Sequence, residues 1–181
     1  MTPTRNPYWH PADRLQRGRV PAEVRAWLFA GGSLTAHVRA RCPERFRLRI
    51  LRQRVAPPRR DEARLLGIPR HGRALVREIE LCCGTQPLVV ARTVIPLASL
   101  RGRQQRLAGL GRRPLGALLF ADRSARREPY QIARLTLRQA GIAQPPIASP
   151  VWGRRAVFRL GGAPLLVSEF FLPVLYAARA D

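Results

Sequence analysis

Two stretches of this chain can be laid on one another without a gap, and they constrain its fold more than any other feature. Residues 84–96 read Gly-Thr-Gln-Pro-Leu-Val-Val-Ala-Arg-Thr-Val-Ile-Pro, and residues 161–173 read Gly-Gly-Ala-Pro-Leu-Leu-Val-Ser-Glu-Phe-Phe-Leu-Pro. Each opens on a glycine turn, closes on a proline, and runs through strand-forming residues between them, the pattern of a hairpin's return strand. The partner strands lie before the turns, so hairpins are expected over 74–95 and 155–172. The elements upstream also recur. Val24, Trp27 and Leu28 share a helical face, and Ser33, after Gly31-Gly32, is placed to cap a second helix from Leu34. Phe46, Leu48 and Ile50 then alternate with Arg45, Arg47 and Arg49 as in a half-exposed strand. In the second half, helical patterns around 98–109 and 114–121, with Pro114 suited to a first helical position, precede a strand at 130–138. Residues 56–70, with one helical turn, and 141–151 read as loops.

This order predicts one α+β domain: a single six-stranded antiparallel sheet with helices packed on it, from a duplicated helix-helix-strand-hairpin unit. The domain is expected over residues 21–175, between an irregular Pro- and Arg-rich N-terminal arm (1–20) and a C-terminal tail (176–181). A chain of 181 residues is long enough to bury a core of its own.

Strand alternation assigns faces. Leu75, Arg77, Ile79 and Leu81 point one way, and Val76, Glu78 and Glu80 the other. Arg92 falls in a row with Leu88, Val90 and Val94, and Glu169 in a row with Leu165, Val167 and Phe171. Arg77, Arg92 and Glu169 are therefore single charges in apolar, core-facing rows, where a charge is costly unless paired. Either they form a structural ion pair, Arg92 with Glu169 for example, or they line a closed pocket for a small charged ligand. Glu78 and Glu80 are expected to be solvated or paired to surface arginines. The helix starts at Ser33-Leu34-Thr35 and Pro114-Leu115-Gly116 hold comparable places in the two halves. Helix starts of this kind suit carboxylates, though every helix has one.

The net charge is +22, and all 33 basic residues are arginine. They are spread from Arg5 to Arg179, which reads as genomic composition rather than a nucleic-acid or membrane site. No recognition helix, RNP-like strand or zinc-finger spacing accompanies them, which argues against a nucleic-acid partner. Cys42, Cys82 and Cys83 are three, two of them adjacent, and argue against a disulfide framework. They and His10, His37 and His71 show no metal-ligand spacing. Without a signal segment or an apolar run of transmembrane length, a cytoplasmic protein with no membrane insertion is expected, peripheral contact being left open. Phosphate-loop, nucleophile-elbow and kinase patterns are missing.

Several ordered motifs belong together. Leu75-Val76-Arg77-Glu78-Ile79, Ala91-Arg92-Thr93-Val94-Ile95-Pro96, Gly111-Arg112-Arg113-Pro114-Leu115-Gly116-Ala117-Leu118-Leu119-Phe120, Trp152-Gly153-Arg154-Arg155 and Pro164-Leu165-Leu166-Val167-Ser168-Glu169-Phe170-Phe171-Leu172-Pro173 resemble, in order and spacing, the chorismate pyruvate-lyase family. The resemblance runs from about Val24 to Pro173. It implies a lyase of the ubiquinone pathway, acting as a monomer without metal or cofactor, which splits chorismate into 4-hydroxybenzoate and pyruvate. It also implies Arg77 and Glu169 as catalytic, ligand-contacting charges and Leu115 as a backbone contact. Leu34 stands where the best-known members have methionine, a change that keeps volume and backbone amide. Arg92 matches a family arginine and is expected in the pocket or just behind it. The rival expectation is a non-catalytic binding domain for small carboxylates, since effector domains of some transcription regulators look related in fold. By position, residues 53–72 and 141–151 and the helices after Pro96 are candidate covers of the pocket.

Overall fold

The computed structural model describes residues 8–15, 17–69, 71–143, 147 and 149–177. Residues 1–7 of the expected arm, residues 144–146 and 148 of the expected loop, and residues 178–181 of the tail lie outside them. In chain order the elements are β1 His10–Pro11, α1 Ala22–Leu28, α2 Leu34–Arg41, β2 Phe46–Ala56, α3 Arg60–Leu66, β3 Ala74–Cys83, β4 Gln86–Pro96, α4 Leu115–Ala121, β5 Arg126–Arg127, β6 Gln131–Leu135, β7 Val151–Leu160, β8 Ala163–Phe171 and α5 Pro173–Tyr176. Short 3-10 turns occupy Leu97–Ser99 and Gly102–Leu107, in the expected first helix of the second half. No helix among the described residues is long and apolar enough to cross a membrane.

The α+β class holds, but the sheet has eight strands, not six. Its order is β1-β6-β7-β8-β4-β3-β2, with β5 beside β7. The two extra strands are two residues each, His10–Pro11 against β6 and Arg126–Arg127 against β7. Alternation over two residues carries no signal, so sequence reading passes over them. The two hairpins, β3–β4 and β7–β8, meet through the β4–β8 pairing at the centre of the sheet.

Both faces of the sheet are buried. On the front, Val24, Leu28, Leu34 and Val38 of α1 and α2 pack on Leu81, Val89 and Phe171. Leu107, Leu110, Leu115 and Leu119 pack beside them on Leu75, Ile95 and Leu165. On the back, Leu66 joins Ala74, Val94, Val157 and Leu166, while Leu137, Ala140 and Ile142 join Val90, Val151 and Phe170. Burial on both sides explains why β4 reads as a nearly continuous apolar run. The 56–70 segment contains a seven-residue helix, α3, rather than a loop with one turn. Pro57-Pro58 before it and Gly67 at its end (φ +66°) are the start and stop signals. At its start the Glu62 carboxylate accepts from the Arg59 backbone N–H at 2.9 Å.

Two one-residue bulges decide which side chains share a face. Leu81 stands opposite Val89 but Cys82 opposite Pro87, so Leu88 is an inserted residue. Likewise Ile50 stands opposite Ile79 and Arg52 opposite Glu78, with Leu51 inserted. A slip of one residue turns every following side chain to the other face. The second bulge brings Gln53, instead of Arg52, opposite Arg77, and so avoids a like-charge cross-strand pair.

The chain also carries a disulfide that the cysteine count argued against. Cys42, at the end of α2, is bonded to Cys83 of β3, with a Cα–Cα distance of 5.8 Å. The odd residue, Cys82, is a buried free thiol.

Candidate active site

The front face holds a cavity of about 760 Å³, counted to its open mouth, between the sheet and the starts of α2 and α4. Its floor is a mixed row from adjacent strands: Ile79 of β3, Ala91 and Thr93 of β4, Val167 and Glu169 of β8, and Arg154 of β7. Its roof is Ser33 and Leu34 of α2 with Leu115, Gly116 and Phe120 of α4. Ser33 caps α2 as expected, its hydroxyl accepting from the Ala36 N–H at 3.3 Å. The two helix starts meet closely, since a Cβ on Gly116 would lie 3.1 Å from Ser33 Oγ. Thus Leu34, Leu115 and Glu169, far apart in sequence, line one cavity.

Arg77 is 2% exposed and lies beside the floor, on the same face as Ile79 and directly across from Thr93, but is not itself among the lining residues. Its Nη1 donates to Gln53 Oε1 at 3.0 Å and its Nη2 reaches Arg113 O at 3.5 Å, just before α4. No carboxylate among the described residues pairs with it. Burial pushes its guanidinium below the usual arginine value, yet an arginine stays charged in a protein. From strand spacing, the Cα positions of Arg77 and Glu169 are about 12 Å apart, two strands across and two residues along.

Glu169 is held by Arg154, whose Nε donates to Oε2 at 2.6 Å. The same guanidinium donates from Nη1 to Trp27 O, Leu28 O and Ala30 O at 3.3, 3.1 and 2.8 Å, closing the end of α1. Sequence reading passed over Arg154, although the signal was there: Arg154-Arg155 is a pair of adjacent strand residues, one of which must face each side.

Arg92 belongs elsewhere. The bulge at Leu88 turns it to the back face, paired in register with Glu78 and Ser168, whereas Glu169 faces front. It does not pair with Glu169. Its Nε and Nη2 donate to Glu62 at 2.7 and 3.1 Å, and its Nη1 to Glu78 at 2.5 Å. Close by, Arg155 donates to Asp61 at 2.6 Å. Burial pushes the Asp61 carboxyl up, but Arg59 and Arg155 outweigh it and hold it below the usual range. Glu78 and Glu80, expected to be solvated or paired to surface arginines, are 4% and 1% exposed and so not solvated. Glu80 is paired through Oε2 with the surface arginine Arg49, while its Oε1 is buried without a hydrogen-bond partner. The residues of α3 lie on this back face as well, so the 53–72 segment is no cover of the cavity; α4, after Pro96, is.

Comparison with known proteins now bears on this cavity. The chorismate lyase family profile matches residues 4–180. A probable chorismate pyruvate-lyase of Methylococcus capsulatus is 46% identical over 155 residues, covering 84% of this chain and 96% of that protein. One of Aromatoleum aromaticum is 45% identical over 169 residues, covering 90% and 91%. Among solved structures, the effector domain of PhnF from Mycobacterium smegmatis shares the fold, with a TM-score of 0.54 at 15% identity, covering 80% of this chain and 91% of that one. With the family profile matched over residues 4–180 and relatives 45–46% identical over 84–90% of the sequence, the chain belongs to the chorismate lyase family.

Proposed function

We propose that this protein is a chorismate pyruvate-lyase that forms 4-hydroxybenzoate for ubiquinone biosynthesis in the front-face cavity. The observation that carries the reading is the buried guanidinium of Arg77, which no protein carboxylate among the described residues neutralises, directly across from Thr93 in the floor of a cavity that Glu169 also lines. A site so charged wants an anion, and a planar fork suits a carboxylate. Chorismate offers a ring carboxylate and, across the ring, a hydroxyl. Arg77 takes the carboxylate, Glu169 accepts from the hydroxyl, and Leu34 and Leu115 contribute backbone amides. Arg92, on the other face, stays outside this set.

In the reaction the hydrogen on the hydroxyl-bearing ring carbon leaves as the ether C–O bond breaks. Its electron pair completes the aromatic ring, and the departing enolpyruvyl methylene gains a hydrogen to become the methyl of pyruvate. Aromatisation supplies the driving force, so the protein's part is orientation and charge placement. Within this reading the domain spans residues 21–175, arose by duplication of its hairpin unit, and acts as a cytoplasmic monomer.

The test is direct. Purified protein and chorismate, without added metal, should yield 4-hydroxybenzoate and pyruvate in equal amounts. A binding module of the same fold would hold 4-hydroxybenzoate and leave chorismate intact, which would refute the lyase.

A further inference from the structure

We propose that Arg154 is a positioning residue for the reaction: it selects the oxygen that Glu169 presents to the ligand and locks it to the segment leading into α2. This rests on the reading of the cavity as the lyase site. Arg154 and Glu169 are direct cross-strand partners on the front face. Both line the cavity, but their surroundings differ. Arg154 is 7% exposed at its side chain and Glu169 21%. With Nε on Oε2, the Oε1 oxygen keeps no hydrogen bond to any described residue and is the one left for a ligand hydroxyl.

The far side of the guanidinium explains why this choice is rigid. The last carbonyls of a helix have no partner within it and carry the negative end of its dipole. Two such carbonyls, Trp27 O and Leu28 O, receive Nη1 together with Ala30 O just beyond the helix. A single buried cation therefore ties the end of α1 to Glu169. From Ala30 the chain passes Gly31 and Gly32, the latter at φ +69°, directly into Ser33 and Leu34. Glu169 and the Leu34 amide are thereby fixed in one frame, through a planar fork that a lysine could not duplicate.

The experiment is a double-mutant cycle read in kcat and KM, on Arg154→Met, Arg154→Lys, Glu169→Gln and the Arg154→Met/Glu169→Gln pair. If Arg154 acts through Glu169, Arg154→Met lowers kcat roughly 10–100-fold while KM stays within about 3-fold, Arg77 being intact. Arg154→Lys recovers part of the loss. In the Glu169→Gln background the same change adds little, because the interaction it served is already gone. Multiplying losses in the pair, or an unaltered kcat in Arg154→Met, overturns the proposal. Should Arg154→Met not fold, Arg154→Lys with and without Glu169→Gln decides on the same criterion. A wild-type protein that leaves chorismate intact overturns the lyase reading instead, so the two failures are told apart.

Discussion

The chain buries two arginines in β3 and β4, and their surroundings predict opposite effects when each is replaced by methionine. Arg92 sits between two carboxylates that are almost as buried as itself, with side-chain exposures of 8% for Arg92 and 5% for Glu62 and Glu78. Without it, Glu62 retains only the Arg59 N–H. Glu78 retains Arg52, half-exposed and 4.0 Å away. Stranding one partner of a buried ion pair costs about 3–5 kcal/mol. At a urea m-value of roughly 2 kcal/mol/M, the unfolding midpoint of Arg92→Met should fall by about 1.5–2.5 M. Adding Glu62→Gln and Glu78→Gln should restore much of it, since neutral replacement of a whole buried cluster is often near neutral.

Arg77→Met strands no carboxylate. It leaves Gln53 Oε1 and Arg113 O without their donor, a loss of about 1–2 kcal/mol, and relieves the desolvation of an unpaired charge. Its urea midpoint should therefore move by less than about 0.7 M, while turnover of chorismate drops by two to three orders of magnitude, about 3–4 kcal/mol of lost anion binding. Urea unfolding followed by fluorescence, beside a 4-hydroxybenzoate assay, separates the two. If Arg77→Met proves the less stable variant, or keeps near wild-type activity, the division into a structural back face and a ligand-binding front face is wrong.

Other outcomes follow from the same geometry. Reducing Cys42–Cys83, 41 residues apart, should cost about 4 kcal/mol on the chain-entropy estimate and lower the melting temperature by roughly 10 °C; calorimetry with and without a thiol reductant measures it. Burial pushes the Cys82 thiol up, so Ellman's reagent should leave the native protein unmodified and count one thiol after unfolding without reductant. The Asp122 carboxyl is held down to about 2 by the hydroxyl and N–H of Ser124, with Arg106 adding to it. A depressed value means stability present above the ordinary aspartate range and lost as pH falls through about 2. Ser124→Ala should raise the Asp122 midpoint in an NMR titration, and an unmoved midpoint would rule out the Ser124 contacts as the cause.

How far the site was legible from sequence depends on two residues that carry no chemistry. Pattern reading found six of the eight strands, the Ser33 cap and the core-facing rows of Arg77 and Glu169. It also set Arg92 equivalent to Glu169 by aligning the two hairpins. Leu88 undoes that equivalence: the first hairpin is bulged and the second, from Leu160↔Ala163 through Trp152↔Phe171, is not. A leucine in a bulge looks like any leucine in a strand, so a local pattern cannot reveal the phase change. Leu51 acts in the same way on β2. The disulfide was hidden for a different reason, because adjacency of Cys82 and Cys83 says nothing of what faces each in space.

The charge resolves along the same line. With 33 arginines against 11 acidic residues, an arginine without a partner is ordinary on the surface, where water serves it. Inside, the acids are spent first: Asp61 on Arg155, Glu62 and Glu78 on Arg92, Glu80 on Arg49, Glu169 on Arg154. Arg77 remains over, buried to the same degree and beside the cavity. Folding such a cation away from water without a counterion is unfavourable unless something else recovers the cost, and in the proposed function a substrate carboxylate does so. The net charge of +22 is thus uninformative as a sum, whereas one uncompensated guanidinium among buried pairs is what supports the proposed carboxylate ligand.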